Sequence, residues 1–260
     1  MDKKYFGQIK LGLIQRGLTI PTLIHGRSEV SRGLCSAEPG EEITLALAED
    51  FIVKTTLNPS EKDGPKLISQ QDRLRLCMEE GETDVDIIPV PDFLKQQLKK
   101  RTPVSENICL DGYCFNIFLR AIGKGRELSM PIEAILSVIQ AAFEEGAADL
   151  IQLNMDYSND DDRGFQRLAP LVEAIKKRFN TFVALKGFPP LNKNTIDCVY
   201  ASGFDIVNFP LEGFFGTAKS KKIMAAEKTY EALEYASSVF SPGTVLTDLI
   251  MSAGAQDKFK

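Results

Sequence analysis

The sequence predicts an α/β protein, a partial (β/α) TIM-like barrel that follows a small β-rich N-terminal domain. Two changes of pattern along the chain predict it. From Ile43 to Val90, short apolar runs alternate with turn-rich pieces such as NPSEKDGP. After residue 103, strand patterns alternate with helical patterns, which implies parallel strands joined by right-handed crossovers. We therefore expect one domain over residues 1–102 and a second over residues 103–260.

The N-terminal half opens with a predicted helix over residues 3–16. Three β-like runs follow, ITLAL, FIVKTTL and DVDIIPV. The segment PDFLKQQLKKRTP then predicts a linking helix that ends before Pro103, because the residue before a proline disfavours helical geometry. The expected domain boundary lies at the end of that helix.

The second half has the regular alternation of a barrel. Ser129 can cap a helix that has Pro131 in its first turn and ends at Gly146. The predicted later strands are DLIQLN, TFVALK, DIVNF and TVLTDLI, with helices over 165–179, 195–201 and 221–239 between them. Together with a first strand at 104–109 this makes five strands, fewer than the eight of a closed barrel. Because open strand edges are prone to pairing, we expect the N-terminal domain or a partner subunit to cover the opening.

Composition restricts the function classes. The net charge of −5 comes without a dense cationic face, which argues against nucleic acid as a partner. No run of about 18 apolar residues is present and the first residues lack the pattern of a signal peptide, so we expect a cytoplasmic protein with no membrane span. Five cysteines in a reducing compartment are then free thiols, metal ligands or core residues, rather than disulfides.

The segment CLDGYCFNIF contains the chemically most informative residues. Cys109 and Cys114 are two soft ligands beside an aromatic side chain, and we expect them at the mouth of the predicted barrel, where catalytic groups of such barrels collect. Two thiols do not complete an iron–sulfur site, so a metal centre needs a further ligand.

Four segments within residues 105–250 resemble the core of the radical S-adenosylmethionine (radical SAM) superfamily. The tripeptide Tyr113-Cys114-Phe115 is similar to the family's last cluster cysteine between aromatics, and LNMDYSNDDDRG follows the second predicted strand, where the family binds methionine. FDIVNFPLEGFF resembles the fourth strand of the biotin-synthase and lipoate-synthase branches, which makes Glu212 the matching acid. PGTVLTDLIMSAG resembles the fifth-strand segment.

The resemblance implies a cofactor set and a reaction. Cys109 and Cys114 would hold a [4Fe-4S] cluster, and Tyr113 and Phe115 would pack on the adenine of S-adenosyl-L-methionine. The polar groups of that cofactor would meet three further residues, Asn154, Asp156 and Glu212. The cluster would reduce S-adenosyl-L-methionine, and the resulting radical would abstract hydrogen from a small-molecule or protein-bound substrate, while the protein supplies orientation.

The chain also departs from the family pattern. Asp111 stands where the middle cluster cysteine is expected, and Cys109 lies closer to Cys114 than the family's first cysteine does. Carboxylate is a poorer ligand than thiolate for such clusters. Cys35 or Cys77 of the first domain is a candidate third ligand.

Two other functions stay open. A non-catalytic subunit could keep the barrel and use its mouth or open edge to bind a partner, as the missing cysteine favours. A Schiff-base lyase could use Lys186 at the end of the strand FVALK, although a strand-end lysine more often extends into solvent. His25 is the only histidine and is expected in a turn, and GKGR at 123–126 lacks the spacing of a phosphate loop.

Overall fold

The computed structural model describes ten ranges of the chain: 3–20, 42–48, 51–58, 64–70, 73–79, 81–88, 90–100, 102–122, 127–211 and 226–248. By internal contacts the chain divides into two units, Met1–Val90 and Pro91–Lys260. His25, Cys35 and Glu212 lie outside the described residues, as does the GKGR segment. None of the described helices is long and apolar enough to cross a membrane.

In its described residues, the first unit is a five-stranded antiparallel sheet with one helix. Helix α1 spans Lys3–Arg16, and the strands are β1 Glu42–Ala48, β2 Phe51–Thr56, β3 Lys66–Gln70, β4 Arg73–Met78 and β5 Gly81–Ile88. Their order in the sheet is β2-β1-β5-β4-β3. Phe6, Ile9 and Leu13 of α1 are buried, and the Thr55 hydroxyl donates to the Leu13 carbonyl at 2.8 Å. The sequence analysis predicted α1, β1, β2 and β5 but missed the hairpin of β3 and β4, whose strands carry charged residues.

The second unit is a partial (β/α) barrel. Helix α2 Asp92–Lys100 and a short 3-10 turn, Ser105–Asn107, precede the strands β6 Ile108–Asp111, β7 Cys114–Leu119, β8 Ala121–Ile122 and β9 Glu127–Leu128. The later elements alternate: α3 Ile132–Glu144, β10 Leu150–Met155, a 3-10 turn Phe165–Leu168, α4 Ala169–Arg178, β11 Phe182–Lys186, α5 Asn194–Ala201, β12 Ile206–Asn208, α6 Ala226–Val239 and β13 Val245–Leu246.

The main sheet has the order β13-β12-β11-β10-β7-β6. Strands β7, β10, β11, β12 and β13 pair in parallel with their neighbours in chain order, so each crossover moves one strand along and adds a helix to the same side of the sheet. Five parallel strands in this order make part of a (β/α) barrel, as predicted. Strands β8 and β9 form a separate small ribbon.

The first parallel strand differs from the one predicted. The expected strand at 104–109 is instead a 3-10 turn followed by the start of β6, and β6 runs antiparallel to β7 with Asp111 paired to Cys114. Gly112 and Tyr113 form the two-residue hairpin loop, and Gly112 has a φ of 61°, as the first position of a type II′ turn requires. The segment CLDGYC is therefore a hairpin that precedes the first parallel strand, rather than a loop that follows it.

Candidate functional site

The two faces of the barrel sheet differ in composition. Odd-numbered residues of β7 and β10 point to the helices and are buried, since successive side chains of a strand alternate between faces. The other face carries exposed apolar side chains, Phe118, Phe182 and Leu246, together with a row of polar ones. The register aligns the polar side chains across strands, with Asn116 beside Gln152, Asn154 beside Lys186, and Lys186 beside Asn208. We call this surface the polar face.

Lys186, Asn208 and Asp248 meet at the carboxyl ends of three parallel strands. Asp248 Oδ2 lies 2.5 Å from Lys186 Nζ, and Asn208 Nδ2 donates to Asp248 Oδ1 at 3.0 Å. One carboxylate therefore joins an ammonium group and an amide that belong to neighbouring strands. We call these three residues the carboxyl-edge cluster.

Backbone pairing beyond the strands holds this cluster in place. The amide N–H of Gly187 donates to the Asn208 carbonyl at 3.1 Å, and the N–H of Leu211 donates to the Asp248 carbonyl at 3.1 Å. The parallel pairing thus continues for one to three residues past the ends of the strands. The backbone that carries the cluster is therefore hydrogen-bonded between strands rather than in an open loop.

Burial and hydrogen bonding act in opposite directions on Asp248. Burial favours the neutral acid and tends to raise its pKa, but the hydrogen bonds from Lys186 and Asn208, together with the Lys186 charge, outweigh it. The pKa of Asp248 is accordingly lowered from its ordinary 3.8, and the group is a carboxylate at neutral pH.

Asn208 has one unsatisfied polar atom. Its Oδ1 is buried and has no hydrogen-bond partner, and the residue is 6% exposed. Buried polar atoms are normally paired, so such an exception needs an explanation.

The remaining amides of the polar face are paired with each other. Gln152 Nε2 donates to Asn116 Oδ1 at 2.8 Å and to Asn154 Oδ1 at 2.9 Å, and Asn154 Nδ2 donates to Asn116 Oδ1 at 3.1 Å. This network satisfies its own members and fixes the middle of the polar face beside the carboxyl-edge cluster.

The loop after β10 is held by two buried arginines. Arg163 has a positive φ of 59°, and its Nη1 donates to the Ser158 carbonyl at 2.8 Å, while its guanidinium lies 4.8 Å from the centre of the Tyr157 ring. Arg167 pairs with Asp160 at 2.7 Å. The acids of this loop therefore have structural partners.

Asp161 and Asp162 serve the same loop. The Asp161 carbonyl accepts from the Leu191 N–H at 2.9 Å, and the Asp162 carboxylate accepts from the backbone N–H groups of Gly164 and Gln166. Asp156, which the sequence analysis placed in the cofactor site, forms an exposed ion pair with Arg120 at 2.7 Å.

Of the two candidate cluster cysteines, Cys114 lies at the opposite, amino edge of the sheet. Cys114 pairs with Leu150, the first residue of β10, whereas Met155 at the other end pairs with Leu119. Those ends are roughly 16 Å apart, because a strand rises about 3.3 Å per residue. Cys109 lies on the neighbouring antiparallel strand, opposite Asn116.

The surroundings of Cys114 disfavour its thiolate. Burial, followed by the nearby Asp111, Cys109 and Asp149, raises the pKa of the Cys114 thiol to about 11. Metal ligation requires the thiolate, which positive surroundings favour and burial opposes. At neutral pH the Cys114 thiol is protonated.

The other predicted site residues do not converge on one place. Tyr113 is exposed in the hairpin loop at the amino edge. Phe115 is fully buried on the helix side, in edge contact with Phe93 at 5.8 Å between ring centres. Asn154 lies on the polar face next to the carboxyl-edge cluster, where its side chain forms hydrogen bonds with those of Asn116 and Gln152.

Comparisons with known proteins give weak likenesses in structure alone. No protein-family model matches the chain, and no curated protein matches its sequence. Among solved structures it is similar to three dihydropteroate synthases. The Yersinia pestis enzyme, in complex with a sulfonamide drug, has 16% identity and a TM-score of 0.34, with 55% of this chain and 48% of that chain covered.

The other two enzymes give similar values. The Coxiella burnetii enzyme, in complex with pteroic acid, has 15% identity and a TM-score of 0.33 over 54% of this chain and 60% of that chain. The Vibrio fischeri enzyme has 12% identity and a TM-score of 0.34 over 55% of this chain and 63% of that chain. The match thus spans less than two thirds of each of these enzymes. We assign no function from likenesses of this size.

The radical SAM interpretation is wrong. The described residues contain no group of three or more His, Cys, Asp or Glu that could hold a metal ion. The assignment of a [4Fe-4S] cluster and S-adenosyl-L-methionine falls with it. The physical reason is the hairpin at CLDGYC, which puts Cys114 at the amino edge and Cys109 opposite Asn116, away from the carboxyl ends where sites of parallel α/β proteins lie.

The sequence analysis missed Asn208 and Asp248. Both belong to predicted strand segments, DIVNF and TVLTDLI, and each is a polar residue where a buried strand ends. That signal was available, because the carboxyl ends of parallel strands meet at one edge of the sheet. Lys186 was identified at its strand end, and the structure gives it a carboxylate partner.

Proposed function

We propose that the carboxyl-edge cluster binds a small polar molecule and that the protein is an enzyme acting on it. The observation that carries the proposal is the convergence of Lys186, Asn208 and Asp248 at the carboxyl ends of three parallel strands. Binding sites in proteins of this architecture lie at that edge.

The three side chains offer complementary hydrogen-bonding groups. The Lys186 ammonium has three N–H donors, of which one faces Asp248, so it can also donate to an oxygen of a bound molecule. Asp248 fixes the position of that ammonium. Asn208 adds an acceptor, its Oδ1, which has no protein partner among the described residues.

This arrangement suits a reaction in which negative charge develops on a ligand oxygen. A donor that is already oriented stabilises such charge without reorganisation during the reaction. Lys186 is held by Asp248 in that way, with its side chain 30% exposed, so that a molecule can reach it from the polar face. We assign Lys186 this electrostatic role and no covalent one.

The proposal is tested with a defined set of small carboxylates, phosphates and carboxamides. Thermal unfolding is followed with each compound for the full-length protein, for Lys186→Met and for the control Lys177→Met, which removes an exposed lysine of α4. A ligand present at about 100 times its Kd stabilises by about 2.7 kcal/mol, which corresponds to a rise of several degrees in Tm.

We expect at least one compound to raise the Tm of the unmodified protein and of Lys177→Met but not that of Lys186→Met. An equal rise in all three proteins places the binding elsewhere and contradicts the proposal. The absence of any rise across the set also contradicts it.

A further inference from the structure

We infer that Asn208 selects the ligand by accepting a hydrogen bond from a ligand N–H that lies next to an oxygen bound by Lys186. This inference rests on the proposed function and narrows it, because it names the chemical class of the ligand as a carboxamide or lactam. Three features of the polar face support it.

The first feature is the fixed orientation of the Asn208 amide. Asp248 is a carboxylate and only accepts hydrogen bonds, so the group of Asn208 that faces its Oδ1 at 3.0 Å must be the Nδ2 donor. The amide oxygen of Asn208 consequently points away from Asp248. A rotation of the amide by 180° would place two acceptors against each other.

The second feature is that Oδ1 lacks a donor. The atom is buried and unpaired, and leaving such a group without a partner costs about 1–3 kcal/mol. Asn116, Gln152 and Asn154 on the same face have hydrogen-bond partners among themselves. Within the described residues, Asn208 Oδ1 is the buried side-chain atom that still needs a donor.

The third feature is the distance between the two recognition points. Lys186 and Asn208 are register partners on adjacent strands, which lie about 4.8 Å apart, and both bind the same carboxylate. A single small group that bridges the two side chains supplies the donor for Asn208 and the acceptor for Lys186. A carboxamide or lactam has an N–H and a C=O on adjacent atoms, whereas a carboxylate or phosphate diester has no donor.

The experiment compares uracil, which has N–H groups beside carbonyls, with 1,3-dimethyluracil, in which methyl groups replace both N–H hydrogens. The Kd of each probe is measured by calorimetry on the full-length protein. We expect uracil to bind at least tenfold more tightly than 1,3-dimethyluracil. Equal affinities overturn the inference, and so does the absence of uracil binding at millimolar concentration.

Two variants connect the discrimination to the residue. Asn208→Leu is expected to reduce the ratio of the two Kd values to near one, whereas the control Asn194→Leu, at an exposed position of α5, keeps it. If a folded Asn208→Leu variant keeps the ratio of the two Kd values measured on the unmodified protein, the inference is contradicted. If that variant does not fold, the ratio measured on the unmodified protein still decides.

Failure of this inference is distinguishable from failure of the proposed function. If uracil does not bind but a carboxylate or phosphate raises the Tm in a Lys186-dependent manner, the site stands and Asn208 does not select for a donor. If no compound raises the Tm in a Lys186-dependent manner, both the inference on Asn208 and the proposed function are contradicted.

Discussion

At the scale of single residues, burial decides what Cys114 and Asp248 can do. Cys114 is a half-buried thiol near acidic groups, and its pKa is raised to about 11. Asp248 is also partly buried, but two donors keep it ionised. The residue types were visible in the sequence, yet their chemistry depends on partners that only the fold brings near.

The raised pKa of Cys114 predicts a loss of stability in alkali. The folded state disfavours the thiolate, so the protein keeps its full stability below the ordinary thiol pKa of 9.0. Part of that stability is lost as the pH rises towards the pKa of about 11 in the folded state. We expect the free energy of unfolding to fall more steeply between pH 8 and pH 10 in the unmodified protein than in Cys114→Ala. Urea unfolding at both pH values measures this difference.

The control for that prediction is Cys198→Ala, which removes an exposed thiol of α5. Its pH dependence should follow that of the unmodified protein. If the free energy of unfolding falls equally with pH in Cys114→Ala and in the unmodified protein, the prediction of a raised Cys114 pKa is contradicted.

At the scale of elements, the alternation of strands and helices after β7 was predictable, and the hairpin before it was not recognised. Helices α3 to α6 and strands β10 to β13 follow from apolar periodicity and from Gly and Pro signals. In LDGYCF, the pair Asp111-Gly112 between apolar residues is a hairpin signal. The two cysteines were interpreted as metal ligands instead. The predicted number of parallel strands was correct, but the first of them was placed at 104–109 rather than at β7.

Asp205 joins three elements at the amino edge of the sheet. Its Oδ2 accepts from the Val183 backbone N–H at 2.7 Å and lies 2.5 Å from Lys176 Nζ of α4. Asp205→Ala leaves the N–H of the fully buried Val183 without this partner, so we expect a loss of about 1–3 kcal/mol in the free energy of unfolding. Denaturant titration measures it.

The matched control is Glu173→Ala, which removes an exposed ion pair with Lys177 on the same helix. Exposed pairs contribute little to stability, so the loss should be much smaller than for Asp205→Ala. Losses of equal size would mean that Asp205 does not connect these elements.

At the scale of the whole molecule, the change of pattern along the chain predicts two parts, and it does not show which part α2 joins. The predicted boundary at 102 leaves α2 with the first domain, whereas by contacts the second unit begins at Pro91. Amphipathic periodicity shows that a helix has an apolar side without showing which core that side joins. Phe93 and Leu94 of α2 are buried in the barrel core, and the Phe93 N–H donates to Glu145 at 2.8 Å.

This arrangement predicts different stabilities for two fragments. We expect residues 91–260 to unfold cooperatively and at a higher temperature than residues 103–260, because the shorter fragment leaves Phe115 without its contact with Phe93. Circular dichroism of both fragments tests it. Equal melting temperatures would favour the boundary at 102.

The central claim is that the carboxyl-edge cluster is the binding site of this protein, and crystallographic fragment screening tests it most directly. Crystals of the full-length chain are soaked with small amides, carboxylates and phosphates. We predict that bound fragments concentrate within hydrogen-bond distance of Lys186 Nζ or Asn208 Oδ1. Fragments that collect at the amino edge beside Cys109 and Cys114, with the carboxyl-edge cluster left empty, would contradict the account.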